Sequence, residues 1–585
     1  MSSQSHKIGL SPKNRTGEIE LTEQFSAQMA QLCMSDHCSD VTFLVEGQKL
    51  PAHRVILAAR SEYFRALLYG GLSESNQAEI ALKIPLEAFK VLLQYIYSGR
   101  MSLTKMKEET VLDTLGLANE YGFTELEVAV SEHLRQILSL DNICAILDAA
   151  RLYNLEALTN VCHTFMDRNA AEILTHESFK YLSKESLEEI LRRDSFFAPE
   201  VQIFVAVNEW CKNNNNVDIE SVVSYVRLPL MNLDQLLKVV RPSGILSPEK
   251  LLDAIEEQTT SKSLEYRGAL WLEENVASMK FNSRTIQGEW RSALLDGHII
   301  PESYDMEKGY TRHTITDAND SGIIVELGTI SIINHIKILL WDHDTRSYSY
   351  FIEVSVNQKQ WDRVIDYSSY HCRSWQFLYF PAKAIKYIKL VGTHNTVNKV
   401  FHVVALEAYY TANIPKLVNG FVAPTHNVAT VEMSAVVMEG VSRTRNALLN
   451  GDYSNYDWDS GYTCHQLGSG VILIRLGQPY YIGSFRLLLW DCDERTYGFY
   501  IETSTNQKDW EMVVDKRNEP ARSWQSFQFT PRAVVFIKVV GTHNTANEIF
   551  HVVHFECPSQ DINFFNQPKK LVETEEHVAE KMEKV

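Results

Sequence analysis

The stretch LLWDHDTRSY at 339–348 decides how this chain is organised, because it returns as LLWDCDERTY at 488–497. The correspondence runs without a gap from 339–404 to 488–553, at a constant offset of 149 residues, and 35 of its 66 paired positions are identical. Solenoid repeats have periods of about 20–50 residues. A period of 149 residues is instead the size of a whole domain, so the sequence predicts one domain that is present twice.

Apolar and polar side chains alternate within both copies, as in FIEVSV at 351–356 and YIETST at 500–505. Short alternating runs bounded by Gly, Asn and Asp are typical of an all-β sandwich. The copies begin at Asn275 and Asn427, each of which is followed by Val-Ala. The sequence therefore predicts two β modules that are joined by a short linker containing proline.

The region from residue 20 to about 138 mixes strand and helix signals. DVTFLV at 40–45 predicts a strand, Gly47 a turn, and the residues after it a returning strand. Ser61 is placed to cap a helix that ends at the Gly-Gly pair 70–71, and a second helix is opened by proline and stopped by glycine over Pro85–Gly99. We expect an α+β unit here.

From Asp141 to about Glu257 the apolar residues recur at helical spacing, and strand signals are missing. This pattern predicts a stack of paired helices. The first 20 residues and the charge-rich tail from 559 show no periodicity and are predicted to be disordered.

The bulk composition excludes several classes of protein. A net charge of −18 without a basic stripe argues against a nucleic-acid partner. No window reaches the roughly 18 apolar residues of a membrane span, and the N-terminal residues lack the apolar core of a secretory signal. We therefore expect a cytoplasmic protein with no integral membrane segment.

The cysteines carry no sign of a disulfide framework. None of the nine is matched between the two copies, and none forms a CxxC pair. A framework would have been duplicated with the domain, so we expect reduced thiols in a reducing compartment.

Two segments, CSDVTFLV at 38–45 and PAHRVILAARSEYF at 51–64, closely resemble the BTB/POZ family. The helical region after it resembles the BACK domain that follows BTB in many adaptors, and the duplicated modules resemble discoidin-type (coagulation factor 5/8 type C) domains. The resemblance implies a multidomain fold: an α+β BTB/POZ domain, an all-α BACK stack and two all-β discoidin-like jelly-roll sandwiches. The expected boundaries are a disordered 1–20, BTB/POZ at 21–138, BACK at 139–258, a linker at 259–274, β-sandwich 1 at 275–412, a linker at 413–426, β-sandwich 2 at 427–558 and a disordered charged tail at 559–585.

The resemblance implies two partners for the BTB domain. BTB domains dimerise through their first helices, and Asp40 and Arg54 match the paired charged positions beside that interface, although a local structural salt bridge is the alternative. BTB–BACK adaptors recruit the cullin-3 scaffold of ubiquitin ligases through an apolar-x-acid motif after a helix. Leu72, Ser73 and Glu74 match that motif, with a solvated turn as the alternative. By resemblance, the first BACK helix pair widens the same groove.

The β modules depart from extracellular relatives, which often have a disulfide joining the ends of the domain. Cys557 lies near the end of the second copy, but no cysteine stands near Asn427. This departure favours an intracellular setting and puts glycan or lipid binding in doubt.

Three duplicated patterns could suggest chemistry. Asp342 and Asp344 recur as a pair in the second copy, and such carboxylates can bind a hard cation or act as acid and base. An arginine two residues later favours a turn with an internal salt bridge. The duplicated histidines His394, His402, His543 and His551 lack compact metal-ligand spacing and are expected to be buried and satisfied. The duplicated tryptophans Trp341, Trp361, Trp375, Trp490, Trp510 and Trp524 are expected in the cores.

No motif assembles a nucleophile, a base and an oxyanion site, so we expect neither catalysis nor a cofactor or metal. The favoured function is a dimeric, non-catalytic adaptor that holds a cullin-3 ligase and captures an unknown protein substrate with its tandem modules. The expected client-binding segments are 343–349 and 367–373 in the first copy and their counterparts 492–498 and 516–522 in the second. The expected client-binding residues are His343, Arg346, Tyr348, Tyr370, Arg373, Cys492, Arg495, Tyr497, Arg517 and Arg522. The alternatives are a BTB-based scaffold without ligase function and an intracellular lipid- or glycan-binding protein.

Overall fold

The computed structural model describes residues 22–71, 73–214, 218–261, 264–300, 304, 309–316, 321–444 and 446–561. The chain forms two compact units, Met1–Thr259 and Thr260–Val585. The disorder predicted for 1–20 and for nearly all of the charged tail concerns residues outside the described ranges.

The first unit begins with a small sheet and continues as helices. Its strands are β1 Val41–Val45, β2 Gln48–Ala52 and β3 Glu79–Leu82. Its helices are α1 Thr22–Gln31, α2 Arg54–Arg60, α3 Glu62–Tyr69, α4 Leu86–Ser98, α5 Glu108–Glu120, α6 Thr124–Gln136, α7 Ile143–Leu152, α8 Glu156–Arg168, α9 Ala170–Ile173, α10 Lys184–Arg192, α11 Glu200–Asn213, α12 Ile219–Val223, α13 Leu233–Gln235, α14 Arg241–Ser243 and α15 Pro248–Thr260.

The helix signals read from the sequence are confirmed. The Ser61 side chain accepts a hydrogen bond from the Phe64 N–H at the start of α3, and Gly70 ends that helix. Gly99 ends α4 in the left-handed region, at φ 68°, a conformation that glycine adopts without steric cost. Local sequence therefore fixes both helices on either side of β3.

The sheet has the order β2-β1-β3, with β1 antiparallel to β2 and parallel to β3. Phe43 of β1 lies with its ring centroid 6.0 Å from Phe64 and 5.4 Å from Phe89. This aromatic contact joins the sheet to α3 and α4. One continuous apolar core extends from it into the later helices, where the described residues contain no strand, as the sequence predicts.

The second unit is built from strands, which confirms the predicted β architecture. The first module contains β4 Arg284–Gln287, β5 Thr311–Thr314, β6 Ile323–Leu340, β7 Tyr348–Ser355, β8 Asp362–Cys372, β9 Trp375–Asn395 and β10 Val400–Tyr409. The second contains β11 Leu417–Val418, β12 Phe421–Val422, β13 Val436–Glu439, β14 Thr463–Gln466, β15 Ile472–Leu489, β16 Tyr497–Ser504, β17 Glu511–Ala521, β18 Trp524–Asn544 and β19 Ile549–Glu556.

The two modules share one strand order, β6-β9-β7-β8 in the first and β15-β18-β16-β17 in the second. Their main strands are longer than the short alternating runs suggested, up to the 21 residues of β9 and β18. Register breaks explain this length, because they let one strand bend and continue. The breaks at Glu326/Ser331 and Arg475/Tyr480 lie at paired positions, so the duplication copied the irregularities as well as the frame.

In each module, one asparagine joins the two ends of the module by hydrogen bonds. The Asn275 side-chain oxygen accepts the N–H groups of Ala277 and Ala408, each at 3.0 Å. In the second module, the Asn427 oxygen accepts the N–H groups of Ala429 and Cys557. An amide thus joins the ends of each module, where extracellular relatives often have a disulfide, and all nine cysteines are free.

The segment at 413–426, expected as a linker, contains a short hairpin. Strands β11 and β12 pair across Asn419-Gly420, whose φ values are 52° and 83°. Both residues have the positive φ that tight hairpin turns require. Strand β12 then pairs with β15, so this segment joins the sheet of the second module.

Candidate functional site

Arg54, the first residue of α2, holds the segment that follows α3. Its guanidinium donates hydrogen bonds to the carbonyl oxygens of Leu68 at 3.1 Å and Ser75 at 2.7 Å, and also to that of Gln77. Its backbone N–H donates to the Asp40 carboxylate at 2.8 Å. Its Nε donates to the Asp40 backbone carbonyl at 3.2 Å. One side chain therefore fixes both ends of the segment, and each hydrogen bond between Arg54 and Asp40 involves a backbone group rather than both charged side chains.

The predicted cullin-binding motif falls within this fixed segment. Leu72 lies outside the described residues, as do the side chains of Ser73 and Glu74. The backbone of Ser73–Asn76 forms a 3-10 turn. The structure therefore places the motif between two anchored ends, and its role stays a prediction.

Helix α1 leaves its apolar face uncovered. None of its ten residues is buried. An apolar groove of about 460 Å³ lies between α1, α2 and the end of α4, and Phe25, Met29, Val55 and Ala59 contribute to its lining. Phe25 is 64% exposed and Val55 66% exposed, so this end of the first unit presents an exposed apolar surface.

A polar cleft of about 430 Å³ lies at α7, α8 and α10 of the helical stack. Arg151 forms an ion pair with Glu189 at 2.5 Å, and Arg193 forms one with the buried carboxylate of Asp167 at 2.6 Å. Burial lowers the pKa of His163, which lies between these pairs. Acids and bases are balanced here, so the cleft is a structural ion-pair network that favours no ligand charge.

The duplicated Asp-x-Arg turns are structural. Arg346 and Arg495 each bind the aspartate two residues earlier, at 2.7 Å in both modules. Each guanidinium also lies 4.2 Å from the ring centroid of the tryptophan five residues earlier. These contacts confirm the predicted internal salt bridge.

Four of the predicted client-binding side chains do not reach the surface. Arg346, Tyr348, Arg495 and Tyr497 are all buried, at 8% exposure or less. Both tyrosine hydroxyls face a histidine ring nitrogen, at 3.2 Å in the first module and 3.4 Å in the second. These four side chains build the frame and are unavailable to a client, whereas His343, Cys492 and Arg517 are exposed.

The predicted client segment 367–373 is occupied within the unit, because it packs against the second module. The Arg373 N–H donates to the Gly477 carbonyl at 2.9 Å. The amides of Phe377 and Gln478 exchange hydrogen bonds, at 2.6 and 3.0 Å. The Tyr367 ring stacks on Phe421. We call this contact the seam: residues 345–347 and 367–377 of the first module against Phe421, 475–478, Thr505 and Phe536 of the second.

The equivalent segment of the second module, 516–522, makes no such packing contact with another module among the described residues. Residues 517–520 are exposed, and Pro520 stands where the first module has His371. Strand β17 is the last strand of its sheet, where proline removes a backbone donor and discourages further pairing. Arg517 is paired with Asp515 at 2.6 Å.

Sequence reasoning missed two exposed aromatic residues of the second module. Trp458 is 62% exposed and Tyr453 51% exposed. The Trp458 ring packs edge-on against Trp490, at 4.6 Å between centroids. A signal in the sequence was available, because neither aromatic residue has an aromatic counterpart in the first copy. At the offset of 152 that relates Asn427 to Asn275, Met306 pairs with Trp458 and Pro301 pairs with Tyr453.

Two other expectations were partly wrong. His402 and His551 are buried, but His394 and His543 are exposed, because they stand at the outer ends of long strands. Only two of the six duplicated tryptophans are fully buried in the way predicted. Trp341 and Trp490 are 2% exposed, whereas Trp361, Trp375, Trp510 and Trp524 are half-buried.

Within the described ranges, no group of three or more His, Cys, Asp or Glu side chains is arranged to hold a metal ion. No helix among the described residues has the length and apolar character needed to cross a membrane.

Comparison with known proteins agrees with this architecture. A BTB/POZ domain family matches residues 29–138, a family described as BTB And C-terminal Kelch matches 143–241, and one described as NedA-like, galactose-binding domain matches 449–539. The predicted recognition of BTB, BACK and coagulation factor 5/8 type C domains is confirmed.

Relatives match over most of the chain. BTB/POZ domain-containing protein 9 of Drosophila melanogaster is 66% identical over 582 residues, covering 98% of this chain and 80% of the relative. The protein of the same name from Homo sapiens is 55% identical over 560 residues, covering 95% of this chain and 91% of the relative. Kelch-like protein 24a of Danio rerio is 30% identical over 213 residues, covering 36% of this chain and 35% of the relative.

Proposed function

We propose, from the premise that this chain belongs to the family of BTB/POZ domain-containing protein 9, that it is a dimeric substrate adaptor of a cullin-3 ubiquitin ligase. The observation that carries the proposal is the segment held by Arg54, which lies in a BTB domain directly followed by a BACK domain. The adaptor makes no covalent bond itself. It raises the effective concentration of client lysines near the ligase.

The cullin contact is formed by the Leu72, Ser73 and Glu74 motif. Carbonyls on both sides of the motif accept hydrogen bonds from Arg54, which limits the conformational freedom of the two ends of the segment before a partner binds. An apolar anchor beside an acid is a common hot-spot arrangement. The first BACK helices, α7 and α8, extend the same contact surface.

The dimer forms through α1 and the groove beside it. A ten-residue helix without one buried residue gains little from its own protomer, and a second copy of the chain supplies a matching apolar face. Asp40 and Arg54 belong to this proposal as neighbours of the interface, because Val55 and Ala59 of the helix that Arg54 opens line the groove.

The client binds the second module at the end that carries Trp458 and Tyr453. Exposed tryptophan and tyrosine are the side chains most enriched in binding hot spots. Cys492 and Arg522 lie in neighbouring loops and complete the proposed surface. His343 marks the corresponding end of the first module, whereas Tyr370 and the Arg373 backbone are used by the seam.

The cullin contact can be tested with the full chain and the purified N-terminal region of cullin-3. We expect the double variant Leu72→Asp, Glu74→Lys to weaken binding at least about 30-fold, which corresponds to a hot-spot loss of about 2 kcal/mol. The matched control is Leu252→Asp with Glu62→Lys, which makes the same substitutions at an exposed leucine and an exposed glutamate outside the motif. Titration calorimetry measures both.

The control variant should bind like the wild type. A wild-type chain that does not bind cullin-3 would establish the alternative, a BTB-based scaffold without ligase function.

One observation favours a second candidate function, sugar binding by the second module. The matching family is described as galactose-binding, and an exposed tryptophan such as Trp458 offers a flat apolar face to a sugar ring. Galactose would then quench tryptophan fluorescence of the full chain saturably. Trp458→Ala should abolish the response, and Trp290→Ala, at an exposed tryptophan of the first module, should not. An unresponsive wild-type chain eliminates this candidate.

A further inference from the structure

Arg475 is a buried cation at the seam without a counter-ion. Its side chain is fully buried, at 0% exposure. Nη1 donates to the Thr345 carbonyl and the Ser347 hydroxyl, both at 2.8 Å. Nε and Nη2 have no hydrogen-bond partner among the described residues. Burying an ion costs several kcal/mol unless it is paired, so these groups require a partner.

The first module shows what is missing. Glu326 occupies the paired position there, and it forms ion pairs with Arg284 at 2.7 Å and Lys386 at 3.8 Å. In the second module, the positions on the neighbouring strands are held by Val436 and Phe536, which lie directly opposite Arg475 in register. The first module therefore carries its own counter-charges, whereas the second surrounds its charge with apolar side chains.

The charged groups around Arg475 leave an excess of positive charge. Asp344 is bound by Arg346 at 2.7 Å, and Asp342 lies 3.9 Å from Arg373. Within the described part of the chain, no carboxylate lies within ion-pair distance of Arg475. Three guanidinium groups thus share two carboxylates, and both carboxylates have partners.

A second unpaired polar atom lies in the seam. The His371 Nδ1 is buried and makes no hydrogen bond with the described residues. Its ring packs edge-on against Phe536, the register partner of Arg475, so the two side chains lie on the same face of the sheet. Burial lowers the pKa of His371 to about 4, so its ring is neutral at physiological pH and can donate one N–H.

We propose that the seam holds a small inorganic anion the size of chloride, bound by Nε and Nη2 of Arg475 with the His371 ring on the same face. The anion balances the positive charge of Arg475. The first module needs no such ion, because Glu326 at the paired position is balanced by Arg284 and Lys386. It stabilises the contact between the two modules.

Hydrogen exchange of the full chain tests the proposal, with sodium chloride compared against sodium gluconate at equal ionic strength. Amides of 367–377 report the seam, because the N–H groups of Arg373 and Phe377 donate across it. By linkage, chloride at ten times its dissociation constant should slow their exchange about tenfold. Arg475→Met should remove the chloride response. The matched control Arg486→Met, in the same strand but paired with Glu556, should keep it.

A wild-type chain whose seam exchanges equally in both salts overturns the proposal, and so does an equal chloride response in Arg475→Met. Because Arg475→Met could open the seam by itself, a second measurement uses only the wild type. Crystals grown in bromide should show an anomalous peak beside Nη2 of Arg475. A water molecule at that position in place of bromide also overturns the proposal.

Discussion

The two β modules share the same strand framework, but they carry opposite charges at one paired position that lies at the contact between them in the second module. Both contain the Asp-x-Arg turn, the asparagine that joins the module ends and the same register breaks. At one paired position, however, the first has Glu326 and the second Arg475. The difference teaches that the duplication preserved what folds each module and changed what each module touches.

The same lesson applies to the paired edge strands. Tyr370 and His371 of β8 contact the second module, and their counterparts are Glu519 and Pro520 of β17. A third module could not add to β17 in the same way, because proline and charged side chains discourage pairing and apolar packing.

Acid should produce the largest effect that the two modules share. Burial lowers the pKa of His335, His402, His551 and His554 to about 4. Below pH 6.5 the unfolded chain binds protons that the folded chain does not, so stability is lost as the pH falls from 6.5 towards 4. Each histidine contributes at most about 2 kcal/mol between pH 6.5 and 5.

Urea unfolding followed by tryptophan fluorescence measures this loss, because nine of the ten tryptophans lie in Thr260–Val585. A β unit whose stability is unchanged between pH 7 and pH 5 would contradict the assigned burial. The helical signal at 222 nm reports the first unit, where burial also lowers the pKa of His163, and we expect a smaller loss there.

Exchanging the two paired charges tests directly whether the two positions have different roles. Arg475→Glu places an acid against the Thr345 carbonyl, and we expect it to destabilise the β unit by about 3–5 kcal/mol. Glu326→Arg should cost less, about 1–2 kcal/mol, because that side chain is half-buried rather than fully buried and its partner Arg284 is exposed to solvent. Equal losses in urea unfolding would show that the seam does not depend on Arg475.

Much of this architecture could be read from the sequence. The repeat, the caps at Ser61 and Gly99 and the Asp-x-Arg turn are local signals, and each is confirmed. The seam was not visible, because it depends on which edge of one module meets the other. For the same reason, segment 367–373 was interpreted as a client loop. The exposed Trp458 was overlooked because attention fell on the six tryptophans that are matched between the copies.

Glycine substitutions at paired positions test whether the two strand frameworks are packed equally tightly. A Cβ at Gly392 would lie 2.3 Å from Phe401 Cγ, and one at Gly541 would lie 2.2 Å from Phe550 Cγ. Both phenylalanines are fully buried and cannot move aside. Gly392→Ala and Gly541→Ala should therefore each cost about 1–3 kcal/mol. A large difference between the two losses in urea unfolding would mean that the frames have diverged.

The asparagines that join the module ends should give the smallest effect. Asn275→Ala and Asn427→Ala each leave two backbone N–H groups without their acceptor, and we expect losses of about 1–2 kcal/mol. Asn518→Ala, at an exposed position of β17, is the control and should be neutral within about 0.5 kcal/mol. Thermal unfolding compares the three variants, and losses no larger than that of the control would rule out this role.

The most direct test of the adaptor proposal is the mass of the full chain mixed with the N-terminal region of cullin-3, measured by light scattering after gel filtration. The proposal predicts one species that contains two adaptor chains and two cullin-3 molecules. Elution of the adaptor apart from cullin-3, or as a single chain bound to one cullin-3, would contradict it.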